Sequence, residues 1–112
     1  VPLTGYYKAR RDQAVRFTSY TDVSGYEIYP IGAPTDYDVT EANALTETYL
    51  RTKVYVEGAS ANNRPMLMLP QTFSWGSVNL PSNAPRYATP QELRNMCYSG
   101  LAAGVRGLLA FE

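Results

Sequence analysis

The chain has 112 residues, of which 45% are hydrophobic and 18% charged, and its ten basic and ten acidic residues balance. A chain of this length holds one small domain, and without clustered positive charge we expect no nucleic-acid partner. The sequence has no histidine and one cysteine, Cys97, which excludes histidine-dependent triads, histidine-based zinc sites and an internal disulfide. It also shows no membrane-length apolar stretch and no phosphate-binding glycine loop, so we expect no membrane partner, no metal and no cofactor.

The first quarter of the chain predicts a short strand, a helix and then a second strand. Residues 6–9 indicate a strand, and residues 11–20 a helix with Ala14 and Phe17 turned inward. The run GYEIYPI, over residues 25–31, has the length of a strand and is bounded by glycine and proline.

The middle of the chain predicts a helix over residues 39–57. Asp38 and Glu41 have the spacing of an N-cap and its partner three residues later. Gly58 is predicted to end the helix. Apolar residues at intervals of three, four and seven predict its inward face, namely Ala42, Leu45, Tyr49 and Val56.

A third strand is predicted over residues 65–70, where the apolar run PMLMLP is continuous rather than alternating. That pattern is typical of strands buried on both faces of a parallel sheet. The connection that follows, residues 71–88, is unusually long and contains Trp75. It leaves the carboxyl end of its strand, where parallel α/β folds place their ligand sites.

The last part of the chain predicts a helix over residues 90–103 and a strand over residues 106–111. Thr89 and Glu92 have the spacing of a capping box, and a proline stands at the first helical position. Gly104 is predicted to end this helix, and Cys97 falls within its apolar pattern as a structural thiol.

Strands that alternate with helices predict an α/β fold with a parallel sheet and right-handed crossovers. Three stretches carry a resemblance to a known family: DVSGYEIYPI, RPMLMLPQTFSWG and TPQELRNMCYSGLAAGVRGLLAF. They resemble the last three strands of glycoside-hydrolase (β/α)₈ barrels related to the β-galactosidase and cellulase superfamily. The resemblance covers roughly residues 20–112. It implies that residues 1–112 form one partial (β/α) barrel with three to four parallel strands and flanking helices.

The resemblance also implies where the site residues lie. It places Gln71 where related catalytic families carry their nucleophilic glutamate, and an amide is neither a nucleophile nor a general acid. The second carboxylate of such enzymes lies at the end of a strand outside this chain. The catalytic residues therefore stay unassigned, and we expect the chain to be inactive by itself. The substrate-binding candidates are Glu27, Tyr29, Gln71, Trp75 and Glu112.

Each candidate has a structural alternative. Glu27 either binds a substrate hydroxyl or bonds to a neighbouring strand, and Tyr29 either lines a cleft or packs in the core. An exposed Trp75 indole would offer a flat face to a sugar ring, whereas a packed one would hold the loop. Glu112 either points toward the mouth of a pocket or is simply the end of the chain.

Two classes of function remain open. One is a segment of a carbohydrate-active enzyme, and the other is a non-catalytic module that binds carbohydrate or protein on a barrel-derived fold. A few strands taken from a barrel expose two sheet edges and one face. We therefore expect the chain to associate with the remainder of the barrel or with another copy of itself. An open flavodoxin-like sheet, with helices on both faces, is a further alternative.

Overall fold

The computed structural model describes residues 3–4, 10–34, 39–78 and 86–110. Strands and helices alternate along the chain, as the sequence predicts. The strands are β1 (Leu3–Thr4), β2 (Ser24–Ile28), β3 (Met66–Pro70) and β4 (Gly107–Leu108). The helices are α1 (Arg11–Thr18), α2 (Ala44–Ser60) and α3 (Pro90–Ala103). A short 3₁₀ helix, Trp75–Val78, lies in the connection between β3 and α3. The strand predicted over residues 6–9 lies outside the described residues.

The four strands form one parallel sheet in the order β1-β2-β3-β4. Sheet order therefore equals chain order. Crossovers between parallel strands are nearly always right-handed, so a sheet that grows in one direction receives all its helices on one face. The prediction of an α/β fold with a parallel sheet and flanking helices is confirmed.

Contacts between the sheet and the helices show this winding directly. Tyr26 and Met68 are register partners in β2 and β3, so their side chains leave the sheet on the same face. The Tyr26 ring lies 4.4 Å from the Tyr55 ring of α2, measured between centroids. Gly100 of α3 packs against the Met68 sulfur. Helices α2 and α3 thus cover the same face, which the flavodoxin-like alternative does not predict.

The opposite face of the sheet carries smaller and less deeply buried groups. Leu67 and Leu69 of β3 are half-buried, as are Gly25 and Glu27 of β2. A Cβ atom placed on Gly25 would lie 3.3 Å from Leu69, so these residues share one surface. The apolar run of β3 predicts burial on both faces, and this is wrong, because burial alternates along the strand.

Helix α2 begins at Ala44, five residues later than predicted. Its predicted cap, Asp38, lies outside the described residues. The turn before the helix is closed instead by Asn43, whose Oδ1 accepts a hydrogen bond of 2.7 Å from the Thr40 N–H.

The inward face of α2 also differs from the prediction. Ala42 is exposed, and Leu45, Tyr49 and Val56 are only half-buried. The buried residues are largely polar or small: Ala44, Thr48, Arg51, Thr52, Tyr55, Gly58 and Ala59. Hydrophobic periodicity in the sequence does not reveal such a face. Threonine can be buried here because its hydroxyl donates a hydrogen bond to a carbonyl oxygen of its own helix.

One hydrogen bond back to the helix and one ion pair show how this polar face is buried. The Thr52 hydroxyl donates to the Thr48 carbonyl at 2.6 Å, and Arg51, which is 4% exposed, pairs with Glu47 at 2.8 Å. Among the buried side-chain polar atoms of the described residues, only the Tyr26 hydroxyl has no hydrogen-bond partner. Burial, followed by the neighbouring Tyr55, raises the pKa of Tyr26 well above its ordinary value.

Helix α3 begins and ends as predicted. The Thr89 hydroxyl accepts from the Glu92 N–H at 3.2 Å, and the Glu92 carboxylate accepts from the Thr89 N–H at 2.8 Å, so the capping box is complete. Gly104 closes the helix with a φ of 107°, a left-handed conformation that favours glycine. Cys97 is half-buried, and burial raises the pKa of its thiol, consistent with a structural role.

Gly58 has a different role from the predicted helix end, because α2 continues to Ser60. A Cβ atom at position 58 would collide with the Cβ of Ala14 and lie 3.1 Å from the Arg11 carbonyl oxygen. The missing side chain therefore lets α1 cross α2 closely. Ala14 is buried as predicted, but Phe17 is 39% exposed, so its predicted inward orientation is wrong.

We predict that Gly58→Ala lowers the free energy of unfolding by about 1–3 kcal/mol, because the methyl group forces α1 away from α2. In an unobstructed helix the same change would stabilise the protein by up to about 1 kcal/mol. Urea unfolding measures whether the substitution lowers or raises the free energy of unfolding. Glu57→Ala, at the exposed neighbouring position, is the control and should change stability by no more than about 0.5 kcal/mol. A Gly58→Ala protein more stable than the wild type would contradict the close crossing.

Candidate functional site

The carboxyl ends of β2 and β3 lie side by side, since Ile28 and Pro70 are register partners. Each strand then enters a connection that folds back over the sheet. Residues 29–34, which follow β2, are all buried, and so are Gln71, Ser74 and Trp75 after β3. Parallel α/β folds place ligands at this edge. We call it the carboxyl edge.

Gln71 holds the two connections together. Its Oε1 accepts a 2.8 Å hydrogen bond from the Ile31 N–H, and its Nε2 donates to the Ile31 carbonyl oxygen at 2.9 Å. Nε2 also donates to the Phe73 carbonyl oxygen at 3.0 Å. The side chain is 0% exposed. Both polar atoms of the amide therefore form hydrogen bonds with backbone groups, and Gln71 bridges the connection after β2 and the connection after β3.

Three aromatic rings pack beside this bridge. Tyr29, Phe73 and Trp75 have centroids 4.9–6.4 Å apart in edge-to-face arrangements, a favoured geometry for aromatic pairs. The indole N–H of Trp75 donates to the Tyr29 carbonyl oxygen at 3.1 Å. Trp75 is only 3% exposed, which favours the packed alternative over an exposed platform for a sugar ring. The ring holds the loop against β2.

Glu27 and Tyr29 form a pair at the end of β2. Two residues apart, they lean toward the face opposite the helices, and the Tyr29 hydroxyl donates to the Glu27 Oε2 at 3.1 Å. Burial first, and then the adjacent negative charge of Glu27, raise the pKa of Tyr29 far above its ordinary value. Tyr29 therefore remains a neutral donor that fixes the orientation of a half-buried carboxylate.

Arg86 links the two connections a second time. Its Nη1 and Nη2 donate to the two carboxylate oxygens of Glu92 at 2.8 Å, a bidentate pair. Nη2 also donates to Glu41, in the turn before α2, at 2.8 Å. Sequence reasoning missed Arg86, because its partner Glu41 lies 45 residues away and only Glu92 belongs to a recognisable local motif.

The four described candidates thus meet at one edge, whereas Glu112 lies outside the described residues. Of their side chains only Glu27 is a carboxylate. Glu41 and Glu92 are bound to Arg86, which lowers the pKa of Glu92 to about 2. A carboxyl group with that pKa is ionised at neutral pH and does not supply a proton.

Within the ranges that the structure describes, no three acidic, cysteine or histidine side chains gather as a metal site. None of the described helices is long and apolar enough to cross a bilayer. No family model, curated protein or solved structure matches this chain. What the carboxyl edge does therefore has to follow from its own geometry.

We predict that Gln71→Glu lowers the free energy of unfolding by at least about 2 kcal/mol. A carboxylate cannot donate to the Ile31 and Phe73 carbonyl oxygens, and it places a negative charge in a fully buried position. Urea unfolding measures the loss. The control is Gln13→Glu on the exposed side of α1, with an expected change within about 0.5 kcal/mol. If Gln71→Glu kept full stability, the buried bridge would be disproved.

The ion pair of Glu92 predicts a pH dependence of stability. The pKa of this group falls from 4.5 to about 2 on folding, so its contribution is present above the unfolded value and is lost as pH falls toward the folded value. The wild type should exceed Glu92→Gln in stability at about pH 7, and the gap should narrow toward about pH 2. Urea unfolding at both pH values measures it, with exposed Glu57→Gln as the control. A gap independent of pH would show that the carboxylate charge contributes nothing.

Proposed function

We propose that this chain is a segment of a glycoside-hydrolase-like (β/α) barrel whose carboxyl edge binds carbohydrate, and that the segment does not hydrolyse glycosides by itself. The winding of the sheet supports the barrel. Parallel strands in chain order with α2 and α3 on one face are what a barrel segment has. A doubly wound sheet has helices on both faces and a reversal of strand order.

The pair formed by Glu27 and Tyr29 carries the proposal. In a barrel, the face away from the helices turns toward the axis, and the carboxyl ends of the strands surround the ligand. A carboxylate at that position accepts hydrogen bonds from two neighbouring sugar hydroxyls, and charged acceptors make the stronger bonds. Tyr29 has already fixed the rotamer of Glu27, so less entropy is lost on binding.

Binding without hydrolysis is favoured by the acids present. Glycoside hydrolysis uses two carboxyl groups roughly 5–10 Å apart. Gln71, at the position where the resemblance places the nucleophile, is an amide buried against Ile31. Two further acids that the structure describes near the edge, Glu41 and Glu92, are held by Arg86. Hydrolysis would require a carboxyl pair completed from another part of a barrel.

A second candidate is a module that binds protein through the face of the sheet opposite the helices. Leu67 and Leu69 on that face are half-buried, although they occupy the middle of the sheet. The remainder of a barrel or another copy of the chain would bury them further. This candidate predicts concentration-dependent association, which sedimentation velocity detects.

We predict that the chain binds members of an oligosaccharide panel and that Glu27→Gln weakens this binding at least about tenfold, since the bonds to a charged acceptor are lost. Isothermal titration calorimetry measures the affinity. Glu57→Gln, on the exposed side of α2, is the matched control and should bind as the wild type does.

Hydrolysis of aryl glycosides, run on the same preparations, should be undetectable. Saturable binding that depends on Glu27, without hydrolysis, supports the proposal. Glycoside hydrolysis by the 112-residue chain would overturn its non-catalytic part. An absence of binding across the panel, or binding equal in Glu27→Gln and the wild type, would overturn the carbohydrate site.

A further inference from the structure

A second concave surface lies at the opposite edge of the sheet, at the amino ends of β3 and β4. It has a volume of about 270 Å³. The carboxyl ends of α2 and α3 form its wall. Its lining includes Val56, Ser60, Asn63, Arg64, Gly104 and Arg106. None of the carboxyl-edge residues takes part, so this pocket is separate from the proposed carbohydrate site.

Backbone geometry brings the two arginines of the pocket together. The Arg106 N–H donates to the Met66 carbonyl oxygen at 2.9 Å, which places Arg106 beside the start of β3. Arg64 stands two residues before Met66, just ahead of that strand. Asn63, with a φ of 54°, turns the chain from α2 toward β3. The pocket is therefore built by the main chain, and both cations follow from the register of the sheet.

The charge of the pocket is unbalanced. Its lining residues include two arginines and no acidic residue. Arg64 pairs at 3.2 Å with Asp22, whose side chain is 95% exposed, and such exposed pairs contribute little. Arg106 forms no ion pair within the described part of the chain. Both arginines can thus bind an anionic ligand that carries more negative charge than the Asp22 carboxylate.

Helix ends offer another explanation for cations here, because the carboxyl end of a helix carries partial negative charge. Several of the last carbonyl oxygens, however, are already bonded to the turns that follow. The Ala59 oxygen accepts from Asn62 and Arg64, and the Gly100 oxygen accepts from Gly104 and Val105. In the described ranges, neither guanidinium donates to a helix carbonyl.

We infer that this pocket binds the phosphate group of a small molecule. Two guanidinium groups match a dianion in charge, and their planar forks suit its several oxygens. Ser60 and Asn63 line the same pocket, and their side chains can supply uncharged donors. A carboxylate, with one negative charge and two oxygens, uses only part of this set. The ligand would bind at the edge opposite Glu27 without competing with carbohydrate.

Isothermal titration with inorganic phosphate tests the inference, with sodium chloride holding the ionic strength constant. We expect saturable binding of one phosphate per chain. Arg106→Gln and Arg64→Gln should each weaken it at least about tenfold, since each removes bonds to a charged group. Arg94→Gln is the control, because Arg94 lies over the Tyr98 ring on the exposed side of α3, and it should leave the affinity unchanged.

A steric variant checks the location independently of charge. Ser60→Phe places a ring at the pocket wall from an exposed position at the end of α2 and should also abolish binding. Acetate, titrated in the same way, should bind at least about tenfold more weakly than phosphate. The inference would be overturned by non-saturable binding, by equal affinity in Arg106→Gln and Arg94→Gln, by binding unchanged in Ser60→Phe, or by acetate binding as tightly as phosphate.

Discussion

Right-handed crossovers between strands that follow chain order place α2 and α3 on one face of the sheet. Most other features depend on this constraint. Tyr26 and Met68 become core residues because the helices cover their face, while their neighbours Leu67 and Leu69 stay half-buried on the other. The same winding gathers the βα connections at one edge and the αβ turns at the opposite edge, and the two proposed ligand surfaces lie at these separate edges.

The carboxyl edge is organised by polar side chains that bond to the backbone. Gln71 joins both amide atoms to Ile31, and Trp75 donates to Tyr29. These bonds allow irregular chain to be buried, because its N–H and C=O groups find partners inside the protein. The polar atoms of these side chains are therefore already occupied by hydrogen bonds to the backbone. Gln71 and Trp75 support the carboxyl edge, and in the proposed function Glu27 is the group that a ligand would meet.

The two edges of the sheet differ in charge because different charged side chains gather at each. At the carboxyl edge, Arg86 pairs with both Glu41 and Glu92, so this cluster keeps a net negative charge, to which Glu27 adds. At the amino edge, Arg64 and Arg106 lie in one pocket whose lining has no acid. The chain is neutral as a whole, yet these described groups give the carboxyl edge net negative charge and place two arginines at the amino edge.

The sequence by itself determined α3 to the residue, the alternation of strands and helices, and the class of sheet. Capping by Thr89 and Glu92 and termination at Gly104 depend on atoms within four residues of one another, so a local pattern is sufficient. The edge at which Glu27, Tyr29, Gln71 and Trp75 meet also followed from the ends of two strands. Local sequence patterns failed to predict burial where the neighbours of a residue come from distant parts of the chain. The buried face of α2, the exposure of Phe17 and the crossing at Gly58 depend on helices α1 and α2 meeting.

Only the tertiary structure decided that Trp75 is buried, that Gln71 is bonded to Ile31, and that Arg86 reaches Glu41. Each of these contacts joins residues at least 40 apart in the chain. The arginine pocket also depends on contacts between distant parts of the chain, since Arg64 and Arg106 become neighbours through the pairing of β3 with β4. Short-range hydrogen bonding can be read from residue order, whereas the partner of a side chain across the fold depends on how the elements pack.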